Sequence, residues 1–234
     1  MRTFFVLLLS IYNLYALDSS FKFEGILGSA VENIQNMNSY AHSFLPYNPI
    51  IVEIGAFEGA GTISLSSTYP YGTVFAFEPH PIAYGHLIEN TRSLKNVVVI
   101  HSAVSTQNRT KKLYGNGPTA SLIPQKQKTQ VGVPVVILDD WCKNLGIDHI
   151  DFLRLDAGGL EWPIIESSPN ILKTVIVIVT KTNMDSAQSL VLPYSILKTQ
   201  LENKGFELLS HWYQEGKEGE ATFVRKYMYN SIFR

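Results

Sequence analysis

Val52-Glu53-Ile54-Gly55-Ala56-Phe57-Glu58-Gly59, followed by Ala76-Phe77-Glu78-Pro79-His80-Pro81, decides how this chain folds. In the first stretch a β-branched run from Ile50 to Ile54 is halted by Gly55, and in the second a run from Thr73 to Glu78 is halted by Pro79. Between them, Gly61 to Tyr69 reads as a helix. The same rhythm continues downstream: a helix over Pro81 to Leu94, a run from Asn96 to Ile100, a run from Phe152 to Leu155 ending in Asp156 and Gly158-Gly159, and an almost wholly apolar run from Thr174 to Val179. Strands alternating with helices specify a parallel sheet covered on both faces. Ser186 to Asn203 reads as the crossover helix after the fifth run, and Phe206 to Leu209 with Ala221 to Val224 as a closing antiparallel hairpin around the charged loop 214–220.

One segment breaks the rhythm. Lys111 to Tyr114, the turn Gly115-Asn116-Gly117-Pro118, a polar stretch and Val131 to Leu138 read as an inserted edge pair with a long loop. Asp139 or Asp140 is placed to cap a short helix from Trp141 to Asn144. At the other end, Arg2 and the apolar run up to Ala16 read as a targeting segment over residues 1–17. Its apolar stretch of about 14 residues is shorter than the ~20 a spanning helix needs, which favours a cleavable signal over an anchor; a buried N-terminal helix is the other reading. The protein is then exported or membrane-associated through that segment alone, and cytoplasmic otherwise. Residues 18–48, with Ile26, Leu27, Val31, Ile34 and Met37 at near-helical spacing, read as an amphipathic cover helix.

Composition narrows the function. At 234 residues, 45% hydrophobic and 17% charged, the chain suits one packed domain and excludes disorder. A net charge of -1 without a basic run speaks against nucleic acid as a partner. The single cysteine, Cys142, excludes an internal disulfide and a cysteine-rich metal site, and the six histidines show no metal-binding spacing. Asn108-Arg109-Thr110 fits a glycosylation acceptor only in a secreted chain.

Ligands of open parallel sheets bind beyond the carboxyl ends of the strands. Glu53, Glu78, His101 or Ser102, and Asp156 fall at those ends. The turn Gly55 to Gly59 is not the dinucleotide fingerprint, because Phe57 stands where the second glycine belongs. Glu78, 23 residues beyond Gly55, can accept two hydrogen bonds from a ribose diol. Such an acid serves either a nicotinamide cofactor or S-adenosylmethionine (SAM), and the negative charge of Glu53 favours the latter, which carries a sulfonium and an ammonium.

These residues resemble the FkbM-type SAM-dependent methyltransferases. The likeness runs over about residues 49–226 through Val52-Glu53-Ile54-Gly55, Phe77-Glu78-Pro79-His80-Pro81, Leu138-Asp139-Asp140 and Arg154-Leu155-Asp156. It implies a Rossmann-like α/β fold with a mostly parallel seven-stranded sheet, a C-terminal antiparallel hairpin and helices on both faces. It also implies SAM as cofactor, held by Glu53, Gly55, Ala56, Phe57, Gly59, Glu78, Pro79 and Ser102, and a sugar or other small-molecule hydroxyl as acceptor. Asp156 is the candidate base for that hydroxyl, with His80 and His101 as weaker candidates. Two positions depart from the family pattern: Gly158 replaces an acid after Arg154-Leu155-Asp156, and Thr180-Lys181 stands where a second acid commonly ends the next strand. A non-catalytic binding module on the same fold is therefore the alternative to an enzyme, and a nicotinamide oxidoreductase a distant third.

Overall fold

The computed structural model describes residues 21–24, 41–124, 129–183, 192–214 and 218–233. The proposed targeting segment lies outside them, as do the spaced residues Ile26 to Met37 of the expected cover helix. Within that cover, Phe21–Glu24 is a strand (β1) and not helix. It pairs antiparallel with the far end of the chain, Phe21 opposite Gln214 and Glu24 opposite His211.

Five parallel strands form the centre: Ile50–Ile54 (β2), Thr73–Phe77 (β3), Val97–Ile100 (β4), Phe152–Leu155 (β8) and Val177–Asn183 (β9). Phe206–Gln214 (β10) and Glu218–Arg225 (β11) make the expected hairpin, with β11 antiparallel to β9. The order is β1-β10-β11-β9-β8-β2-β3-β4, so the expected seven-stranded frame carries β1 as an eighth strand at its edge. Strand order reverses between β2 and β8, and this is where an open sheet leaves a crevice.

Helices cover both faces. Ala60–Thr68 (α1) and Pro81–Thr91 (α2) precede β3 and β4, and Leu65 and Tyr69 pack on Ile51, Val74 and Phe152. On the opposite face Leu138–Leu145 (α3), Glu161–Glu166 (α4), Pro169–Leu172 (α5) and Tyr194–Asn203 (α6) bury Leu138, Ile164, Leu172 and Leu201 against Val52, Ile54, Leu153 and Ile178. The chain closes with Lys226–Phe233 (α7).

The inserted pair does not extend the main sheet. Arg109–Tyr114 (β6) and Gln130–Val136 (β7) join Ala103–Val104 (β5) in a separate sheet of order β5-β7-β6. The Ser102 hydroxyl holds that junction, donating to the Ala103 and Pro134 carbonyls at 2.9 and 3.1 Å. The helix after the insertion is longer than Trp141 to Asn144, and neither aspartate caps it, since Ile137 is its N-cap. Asp139 instead caps α5, accepting the Asn170 and Ile171 amides at 3.0 and 2.9 Å, while Asp140 accepts from the Asn108 side chain.

Candidate active site

A cavity opens at the carboxyl ends of β2, β3 and β8, with Gly55, Phe57, Glu78, Pro79, Ser102 and Asp156 among its walls. Six of the nine sequence-predicted site residues therefore converge. Gly55 has φ +85°, and a Cβ there would collide with the Asp156 carbonyl oxygen, so only glycine lets the β2 turn pass the β8 exit this closely. Its amide and that of Ala56 both donate to the Phe77 carbonyl, at 3.0 and 2.9 Å, locking the turn to β3.

Phe57 is left-handed at φ +50°, the one non-glycine residue with positive φ among the described residues. Such a conformation costs roughly 1–2 kcal/mol in an L-residue. Glu78 offsets it: Oε2 accepts the Phe57 amide at 2.8 Å and Oε1 accepts the His80 amide at 2.7 Å. Burial pushes the Glu78 carboxyl above its ordinary pKa, and the two amides work against that push. The carboxylate thus holds the glycine-rich turn and faces the cavity. Glu78→Ala is expected to weaken SAM binding by about 1–3 kcal/mol, the loss of a charged hydrogen-bonding group plus its turn, as read by calorimetry.

Glu53, Ala56 and Gly59 are not among the residues that line the cavity. Side chains alternate along a strand, so Ile54 faces the cavity side while Glu53 points to the α1 face. There it is fully buried and accepts from Arg154 Nη1 at 2.9 Å and Thr62 Oγ1 at 2.5 Å. Arg154 Nη2 reaches Glu220 at 3.1 Å. Burial raises the Glu53 pKa against the pull of Arg154 and Thr62; burial also works against the Arg154 charge, but Glu220, Glu53 and Asp156 more than offset it. Ala56 packs with Ala76 and Leu87, and Gly59 leaves room for Leu87 of α2. Of the histidines, His80 is the N-cap of α2, and His101 stacks on Tyr84 and meets the Pro79 carbonyl at 3.1 Å. Neither lines the cavity.

Asp156 ends β8 with its side chain about one-third exposed, and Lys181 Nζ lies 3.5 Å from its Oδ1. Lys181 is thus an ion-pair partner of the candidate base, inside a strand that starts later and runs further than Thr174 to Val179. The loop after Asp156 is fixed from below by Glu161, whose Oε1 accepts the Ala157 and Gly159 amides at 2.8 and 3.2 Å. Burial raises its pKa as well. An acid with a raised folded pKa binds its proton more tightly when folded, so stability falls as pH climbs from the unfolded value near ~4.3 through the folded one. With Glu53, Glu78 and Glu161 all raised, the thermal midpoint is expected to fall as pH rises above the unfolded value. Glu161→Gln keeps the Oε1 acceptor and removes the charge, and should flatten that fall in calorimetric scans.

Several wall residues carried no signal in the sequence: Leu113, Ala120, Ser121 and Leu122 from the insertion, and Leu160 at the start of α4. Only the length of the insertion hinted that it was functional.

The strand order, the antiparallel β11 and the carboxylate closing β3 define a Rossmann-like methyltransferase. Residues 53–218 match the family model for the methyltransferase FkbM domain, and the chain belongs to that family, whose cofactor is SAM. The 2-O-methyltransferase NoeI of Sinorhizobium fredii is 24% identical over 193 residues, covering 74% of this chain and 78% of its own. The methyltransferase sdnD of Sordaria araneosa is 23% identical over 240 residues, covering 86% of each. Among solved structures, an FkbM methyltransferase from Methylobacillus flagellatus matches with a TM-score of 0.52 at 15% identity, over 80% of this chain and 50% of that one, a likeness of fold.

The residues present fit SAM in chemistry. Two carboxylates, Glu78 and Asp156, border the cavity, suited to a ribose diol and to cationic groups. Gly55 adds backbone without a side chain to the cavity wall.

Proposed function

We propose that the protein methylates a hydroxyl group of a sugar or another small-molecule acceptor. The carrying observation is Asp156: its carboxylate borders the cavity and is also partly open to solvent beside Lys181, so an acceptor can reach it from outside. The name of the relative NoeI, a 2-O-methyltransferase, supports an oxygen acceptor. The net charge of -1 supports a small acceptor over a nucleic acid.

SAM, when bound, supplies a methyl group activated on a sulfonium. Glu78 would hold the ribose, and Gly55, Phe57, Pro79 and Ser102 would shape the wall around the rest. Asp156 orients the acceptor hydroxyl and takes its proton as the oxygen attacks, a role worth typically 10² to 10⁴-fold. Ala157, Leu160 and Leu122 keep water from the reacting oxygen. The departures at Gly158 and Thr180 have structural occupations: Thr180 is fully buried with its hydroxyl donating to the Lys181 carbonyl, and Gly158 contacts the insertion. They do not remove the carboxylate the chemistry needs.

The test is transfer of labelled methyl from SAM to a panel of methyl glycosides and simple alcohols, with amines and carboxylic acids as controls. Label in an O-methyl ether supports the reading. Transfer to amines or carboxylates alone would contradict it.

A further inference from the structure

What remains of the cavity encloses about 80 Å³, against roughly 300–1,000 Å³ for small-molecule sites. A nucleoside-bearing cofactor enters only if a wall moves. The strand ends are fixed by the parallel ladders and the glycine turn by Glu78. The segment Gly117–Leu122 is held differently. Ser121 and Tyr114 exchange amide-carbonyl bonds at 2.8 and 3.0 Å, and Ala120 donates to Gly117 at 3.2 Å, all within the insertion. Ala120 and Leu122 pack on the small core of Leu113, Val133 and Val135 from the insertion and Ala103 of β5. Its one hydrogen bond to the loop after β8, among those of the described residues, is Ser121 Oγ donating to the Gly158 carbonyl at 2.7 Å.

Gly158 is shaped for this contact. Its φ is +58°, and a Cβ there would lie 2.9 Å from the Ala120 carbonyl oxygen and 3.1 Å from Ser121 Cβ. An acidic side chain at residue 158 is incompatible with Ala120 and Ser121 in their places. Gly158 is therefore the seat of the covering segment.

We propose that Gly117–Leu122 is a lid over the cofactor site, caught on Gly158 by the Ser121 hydroxyl, and that SAM enters when this catch opens. The proposal rests on the reading of the cavity as the SAM site. Closure is how such a site excludes water.

Stopped-flow association of SAM with the full chain tests it, with Ser121→Ala releasing the catch and Gly158→Ala displacing its seat. Ser121→Ala is expected to speed association at fixed SAM roughly three- to tenfold, the size a single buried hydrogen bond supports. Rates within twofold of the unaltered protein would overturn the lid. Hydrogen exchange separates this from failure of the cofactor reading. If the unaltered protein binds no SAM, that reading falls, and the amides of Tyr114, Ser121 and Gly159 still decide the lid. They exchange faster in Ser121→Ala if the catch holds the segment down, and unchanged exchange overturns the proposal.

Discussion

Replacing Arg154 by methionine is expected to destabilise the fold by about 3–5 kcal/mol at neutral pH, the usual cost of removing one partner from a buried ion pair. Glu53 has no exposed surface, and without the guanidinium its charge would keep only the Thr62 hydroxyl. Against a typical total of about 5–15 kcal/mol, the loss approaches unfolding. The effect carries a sign in pH. Glu53, freed of Arg154, would have a folded pKa raised further by burial, so the penalty is full above that value and shrinks as pH falls toward the unfolded value near ~4.3. Urea unfolding at mildly acidic and mildly alkaline pH reads both parts. The double variant Glu53→Gln with Arg154→Met should recover much of the loss. A cost below about 1 kcal/mol for Arg154→Met would mean the pair behaves as an exposed one.

Asp156→Asn is expected to slow methyl transfer by about 10² to 10⁴-fold, a larger effect than its loss of SAM affinity. Asparagine keeps the shape and can still meet Lys181, but it cannot take a proton from a hydroxyl. A fall in rate with unchanged KM for the acceptor assigns proton transfer. A rate within threefold, or a loss confined to SAM affinity, would leave Asp156 as a residue that only positions the cofactor.

Local signals made the frame of the fold legible. Ile50–Ile54 and Phe152–Leu155 form strands with the bounds their apolar runs suggested, because buried parallel strands announce themselves by composition. Glu78 was legible for the same reason: it directly follows such a run. Non-local pairing escaped. Phe21–Glu24 becomes a strand only because Gln214 to His211 lies beside it, and nothing within four residues encodes a partner so distant. The run Thr174 to Val179 missed the polar half of β9, Thr180 to Asn183, which pairs with Ala221 back to Glu218.

Glu53 shows how one residue of strand parity decides which face a side chain takes. The motif suggests a place next to the ligand, while alternation points its side chain to the α1 face, where Arg154 is its direct neighbour in register. The signal was present, since two opposite charges stand next to last on central strands whose surroundings are apolar. Ser121 had no comparable signal: it sits in a polar insertion without periodicity, and its contact with Gly158 spans 37 residues.

The most direct test of the account is calorimetric titration of the full chain with SAM and with its demethylated product, NAD serving as the competing nucleotide and Glu78→Ala as the control. Micromolar binding of SAM and product is expected, with no binding of NAD and roughly 5- to 150-fold weaker SAM binding in a folded Glu78→Ala protein. Binding of NAD in place of SAM, or SAM binding indifferent to Glu78, would contradict the assignment of this cavity.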